Sequence, residues 1–142
     1  MTKVFIDTNV ILDHALNRAF ADEAGKIFAM SEEGKIYCYV STGTLYTLAY
    51  VLEKAIKDVE IVRENLLLYL SFLTPVSNLP SNFEQALYDK EFDDIEDAFQ
   101  YYTAIQAVCD FFVTVNIKDF QKGEIRNLPV LKPDDFLHRL SQ

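Results

Sequence analysis

The sequence contains no tryptophan, only two cysteines and two histidines, and four residues each of glycine and proline. So few cysteines and histidines exclude a disulfide framework or a structural zinc site as the basis of the fold. The low glycine and proline content excludes collagen-like and low-complexity chains. No apolar run approaches the roughly 18 to 20 residues of a membrane span, and no secretion signal precedes the first strand-like segment. We therefore expect a cytoplasmic protein with reduced cysteines and no membrane contact.

Basic residues are also scarce, since 13 lysines and arginines stand against 22 acids and leave a net charge of −9. This balance argues against a broad basic surface for nucleic acid. It leaves open a local, metal-mediated contact with phosphate or a basic protein partner. With 142 residues, half of them hydrophobic, the chain is long enough for one domain, residues 1–142, with its own core.

Short β-rich runs alternate with segments whose apolar residues recur at helical spacing. The expected strands are residues 3–7, 35–40, 73–76, 111–115 and 129–131. The expected helices are residues 10–15, 21–33, 42–56, 58–72, 82–90, 95–109 and 133–140. This order predicts an α/β fold with a short parallel sheet of four or five strands and helices on both faces.

Acidic and amide side chains follow the expected strand ends. They are Asp7 after the first strand, Asn116 and Asp119 after the strand at 111–115, and Asp94 and Asp97 at the start of the preceding helix. Each alone has a structural explanation as a helix cap or a turn residue. Together they should meet at one edge of a parallel sheet. Carboxylates gathered there repel one another unless a cation compensates them, and oxygen ligands suit Mg²⁺ or Mn²⁺.

These segments resemble the PIN-domain family, which includes the ribonuclease toxins of bacterial toxin–antitoxin pairs. The segments 4–12, 94–100 and 114–120 carry the resemblance, and 129–137 is similar to the usual last strand and helix. The resemblance implies a three-layer PIN-like fold and a metal-dependent endoribonuclease. The metal ligands would be Asp7, Asp94, Asp97, Asn116 and Asp119, with the four aspartates catalytic. It also implies an RNA substrate, a small antitoxin partner and a possible homodimer.

The segment 41–49 departs from the family pattern, because the helix after the second strand usually carries an acid there. Tyr46 or Thr47 occupies the expected region, and Glu53 lies about 9 Å further along the helix. The alternative hypothesis is therefore a PIN-like module with weakened or lost catalysis that binds protein or RNA. Two other classes fit less well. A phospho-accepting receiver domain would need an N-terminal acid pair, and a haloacid-dehalogenase-like phosphatase would need an aspartate where Asn9 stands.

Overall fold

The computed structural model describes residues 1–120 and 128–142, without the side chain of Asp119. Within them, the strands are β1 (Lys3–Ile6), β2 (Tyr37–Ser41), β3 (Leu73–Val76), β4 (Phe111–Val113) and β5 (Val130–Leu131). The helices are α1 (Thr8–Ala15), α2 (Ala21–Glu32), α3 (Thr42–Ile56), α4 (Val59–Leu70), α5 (Pro80–Tyr88), α6 (Ile95–Gln106) and α7 (Pro133–Leu140). A short 3-10 helix covers Ile117–Phe120.

The five strands form one sheet in the order β3-β2-β1-β4-β5, and every neighbouring pair is parallel. Strand β1 is central, with Val4 paired to Cys38 on one side and to Phe111 on the other. Because all strands run in one direction, their carboxyl ends meet at a single edge of the sheet. The predicted parallel α/β fold is confirmed.

The side chains of β1 alternate between two hydrophobic cores, as the twofold period of a strand requires. Val4 and Ile6 join a large cluster with residues of α1 to α4 and α7. Phe5 joins a second cluster on the opposite face, with Tyr101 of α6 and Phe112 of β4. Helices therefore cover both faces of the sheet, which gives the predicted three layers.

Polar caps and prolines determine where the helices begin, and several of them lie at the carboxyl edge of the sheet. Asp7 caps α1, Ser41 caps α3 and Asp94 caps α6, each by accepting a hydrogen bond from a backbone N–H of the first turn. Pro80 and Pro133 stand at the starts of α5 and α7, where a missing N–H costs nothing. The caps thus place three helix N-termini beside the strand ends.

The element boundaries differ from the expected ones by a few residues. Helix α6 ends at Gln106 rather than near residue 109, because Val108 adopts a left-handed backbone with φ of 56°. Strand β4 ends at Val113, and the 3-10 helix that follows the strand was not predicted. Both cysteines are free. In the described part of the chain, no helix is long and apolar enough to cross a membrane.

Candidate active site

Asp7 lies directly after the central strand and is buried, with 2% of its surface exposed. One carboxylate oxygen accepts a hydrogen bond from the Thr8 backbone N–H at 2.9 Å, and the other accepts one from the Thr114 hydroxyl at 2.8 Å. Burial raises the pKa of Asp7 to about 6 despite these two bonds, and the carboxylates of Glu96 and Asp94 add to the rise. The Asp7 carboxylate is therefore firmly oriented and electrostatically crowded.

The first turn of α6 supplies the neighbouring carboxylates. Asp94 accepts a hydrogen bond from the Asp97 backbone N–H at 3.0 Å, so this residue does act as the helix cap. Asp94 and Glu96 are exposed, whereas Asp97 is 7% exposed. The capping role and a site role are compatible here, because the cap holds the whole acidic turn at the carboxyl edge of the sheet.

Asn116 and Asp119 follow β4 at the same edge. The Asn116 backbone N–H donates to the hydroxyl of Thr114 at 3.2 Å, and that hydroxyl also holds Asp7. The side chain of Asp119, a predicted ligand, lies outside the described residues. Among the residues that are described, no three His, Cys, Asp or Glu side chains form a group that would hold a metal ion. The metal-ligand assignment therefore stays a prediction.

Glu96 is the acidic residue at this edge that sequence reasoning did not include in the site. Its carboxylate stands before that of Asp94 among the charges that raise the pKa of Asp7. Its position in the first turn of α6, next to Asp97, was the available signal.

A buried hydroxyl and amide network lies beside Asp7, and sequence reasoning missed it. The Gln100 amide nitrogen donates to the hydroxyl oxygens of Thr8 at 2.9 Å and Thr44 at 2.7 Å. Those two hydroxyls are themselves 2.9 Å apart, and Ser41 Oγ lies 3.1 Å from Thr44 Oγ1. The four residues are all at most 3% exposed. This network fastens α1, β2, α3 and α6 together at the edge of the site.

A pocket of about 420 Å³ opens next to this network. Its lining consists of Ser41, Gly43, Thr47, Asn78, Phe83, Ile95, Glu96, Phe99 and Gln100. Thr47 is thus in the pocket with Glu96, whereas Tyr46 is 82% exposed and is not part of this lining. Of the two residues that could occupy the place of the usual second acid, Thr47 is the one that lines this pocket.

Comparison with known proteins agrees with this architecture. A sequence profile described as the PIN domain matches residues 3–118. The chain therefore belongs to the PIN-domain family, and the resemblance of its acidic segments to that family is confirmed. No curated protein sequence matches the chain.

Similar solved structures come from bacterial toxin–antitoxin systems. One is a chain of the VapBC2 complex of Rickettsia felis bound to a promoter DNA fragment, with a TM-score of 0.71 and 18% identity. The match covers 91% of this chain and 97% of the VapBC2 chain. A toxin–antitoxin complex from Klebsiella pneumoniae gives 0.66 at 20% identity, with 92% and 97% covered. VapC20 of Mycobacterium tuberculosis, a sarcin-ricin loop cleaving toxin, gives 0.63 at 14% identity, with 87% and 98% covered. At these identities the likeness is one of fold.

Proposed function

We propose that this protein is a metal-dependent endoribonuclease that cleaves RNA phosphodiester bonds, and that it is the toxin of a toxin–antitoxin pair. The observation that carries the proposal is the buried Asp7 carboxylate, whose pKa is raised to about 6 by burial and by the acids of the α6 first turn. A buried carboxylate with further acids nearby is costly in the absence of a cation, and this arrangement is common at sites that bind a divalent ion. Membership of the PIN-domain family supports the same reading.

The donor set fits Mg²⁺ or Mn²⁺. Each oxygen of Asp7 accepts one hydrogen bond and so keeps a lone-pair site for a further contact. Mg²⁺ typically takes one or two carboxylates and fills its other positions with water and substrate phosphate. Asp7 and Asp97 would hold the ion, with Asp94, Asn116 and Asp119 as further candidate ligands. A site with few protein ligands is sufficient for this chemistry.

The bound ion would supply Lewis-acid activation of water and neutralisation of phosphate charge. The chain's own residues have separate tasks. Thr8 and Thr114 fix the rotation of the Asp7 carboxylate through their two hydrogen bonds, as groups that hold a metal ligand from behind generally do. Asp94 holds the first turn of α6 and thereby positions Asp97. The N-termini of α1, α3 and α6 at this edge favour an anionic phosphate.

The second candidate function is a PIN-like module that binds protein or RNA without cleaving it. Thr47 favours it, because a hydroxyl stands in the pocket at the place where the family usually has a carboxylate. The net charge of −9 also suits a basic protein partner.

An RNA cleavage assay distinguishes the two functions. The purified chain is incubated with structured RNA in the presence of Mn²⁺, of Mg²⁺ or of EDTA. We expect metal-dependent cleavage that falls by at least about a hundredfold in Asp7→Asn and in Asp97→Asn. Asp58→Asn is a matched control, because Asp58 caps the distant helix α4 through the same kind of bond and should leave cleavage unchanged. Calorimetric titration of Mn²⁺ should show binding to the parent and to the control only.

Cleavage that persists at the parental rate in both site variants would refute the catalytic assignment. Mn²⁺ binding by neither the parent nor the control, together with absent cleavage, would support the binding module instead. The toxin role is tested separately by expression in a bacterial host. Growth should stop with the parent and continue with Asp97→Asn. A homodimer and a cytoplasmic location stay predictions.

A further inference from the structure

Gln100 carries a buried acceptor that no described protein group uses. Its side chain is 3% exposed, and its amide nitrogen is committed to the hydroxyls of Thr8 and Thr44. The carbonyl oxygen Oε1 of the same amide has no hydrogen-bond partner. A buried acceptor left unpaired costs about 1–3 kcal/mol. Gln100 lines a pocket of about 420 Å³, and a shift of its amide that exposes Oε1, which has less than 1 Å² of accessible surface, would let a ligand there donate a hydrogen bond to it.

Part of the pocket lining is apolar and aromatic. Phe83 and Phe99 are in edge-to-face contact, with ring centroids 4.7 Å apart, and Ile95 adds an exposed aliphatic surface. The volume is within the range of about 300–1,000 Å³ that is common for small-molecule sites. A flat, largely apolar group with a polar edge fits between such walls.

The acidic lining of the pocket disfavours a phosphate as its occupant unless a cation is bound with it. Glu96 lines the pocket with a carboxylate, which repels anions. The amide of Asn78 is partly committed, because its oxygen accepts from the Gly43 N–H and one of its two N–H groups donates to Thr103. In the absence of a cation, the favoured occupant is therefore an uncharged group that donates hydrogen bonds.

We propose that this pocket is a nucleobase subsite that receives the base next to the phosphate held at Asp7. In this arrangement the base packs against Phe83 and Phe99 and donates an amino or imino hydrogen from its Watson–Crick edge to Gln100 Oε1. Single-stranded RNA is commonly recognised by stacking and edge contacts of this kind. Gln100 contacts Thr8, the residue after Asp7, at 2.9 Å, so the two parts of one nucleotide would lie side by side. The subsite rests on the proposed ribonuclease function.

Binding of free nucleosides in EDTA tests the subsite without metal or cleavage. Adenosine, guanosine, cytidine and uridine are titrated into the parent and followed by saturation-transfer NMR. We expect at least one to bind, and Thr47→Phe, which fills the pocket, to weaken that binding at least about tenfold. Phe83→Ala, at a partly exposed position, should weaken it about tenfold by removing stacking. The matched control Thr74→Phe adds the same ring at an exposed position of β3 and should change nothing.

The hydrogen bond to Gln100 is tested with a nucleoside that lacks the Watson–Crick donor of the best binder. Purine riboside serves for adenosine and pyrimidin-2-one riboside for cytidine. Uridine and guanosine are replaced by forms in which every N–H of the Watson–Crick edge is methylated. Binding about tenfold weaker is expected, because Oε1 would again be unpaired. Equal binding by the two would overturn the role of Gln100.

The outcomes separate this subsite from the ribonuclease function. Binding of no nucleoside, or equal binding by Thr47→Phe and the parent, overturns the subsite even if RNA is cleaved. Nucleoside binding that Thr47→Phe removes upholds the subsite. If RNA then stays uncut with Mn²⁺, the cleavage function alone fails.

Discussion

Replacement of Asp7 by asparagine should stabilise the metal-free protein at neutral pH, because it removes a charge that the fold holds at a cost. The pKa of Asp7 rises from 3.8 to about 6, mainly through burial, and this difference corresponds to about 3 kcal/mol. Asparagine keeps an acceptor for the Thr8 N–H but no longer accepts a hydrogen bond from the Thr114 hydroxyl. The loss of that bond lowers the gain by about 1 kcal/mol. The expected net gain in the free energy of unfolding is about 2 kcal/mol, with a Tm higher by roughly 4–8 °C.

The gain should depend on pH in a defined direction. Between pH 3.8 and about 6, folded Asp7 retains a proton that the unfolded chain has already released. The contribution of Asp7 to the free energy of unfolding therefore falls as the pH rises through this window, and its full cost is present above it. The amide does not titrate, so the advantage of Asp7→Asn should be complete at pH 7.5 and absent at pH 3.5.

Urea unfolding followed by circular dichroism, in EDTA at several pH values, measures the effect. Asp58→Asn is the control, because Asp58 is an exposed cap of α4 and asparagine caps a helix about as well as aspartate. Its free energy of unfolding should stay within about 0.5 kcal/mol of the parent. An Asp7→Asn variant that is less stable than the parent at pH 7.5, or a gain that does not change with pH, would refute the argument from burial of the Asp7 charge.

Three further predictions follow from the same site. Mn²⁺ at a hundred times its Kd should raise the free energy of unfolding of the parent by about 2.7 kcal/mol, measured by thermal unfolding. An equal rise in Asp7→Asn would contradict the ligand assignment. Thr47→Glu should restore the absent carboxylate and tighten Mn²⁺ binding by about tenfold in calorimetry, whereas weaker binding would show that Thr47 does not face the ion. Gln100→Leu should change the free energy of unfolding in urea by less than about 1 kcal/mol, because the loss of two hydrogen bonds to the hydroxyls of Thr8 and Thr44 is offset by removal of the unpaired acceptor Oε1. A loss of about 2 kcal/mol or more would show that Oε1 carries no such cost.

The element order and the sheet direction could be predicted from sequence because both follow from local patterns. Apolar runs such as residues 4–6 and 111–113 predicted buried strands, and the helical segments between them require parallel connections. The ends of elements were less predictable. The left-handed backbone at Val108, which ends α6, and the 3-10 helix at 117–120 are set by packing rather than by periodicity.

The candidate site was only partly predictable. The rule that ligands bind at the carboxyl ends of parallel strands predicted Asp7, Asp94 and Asp97 at one edge of the sheet. It gave no means of ranking Glu96 above its neighbours, or of choosing Thr47 over Tyr46 as the residue that faces the pocket. Those choices depend on the rotation of α3 and α6 about their axes, which is settled by packing against the sheet.

The sequence by itself determined the class of fold, the edge at which the acids gather and the PIN-domain relationship, because all three are carried by short segments in a fixed order. Only the tertiary structure decided how Asp7 is charged and what lies beside it. The raised pKa of Asp7 is a consequence of burial, and the bonds of Gln100 reach Thr8 and Thr44 across 92 and 56 positions of the chain. Contacts at such separations have no local period, so they exist only once the helices have packed on the sheet.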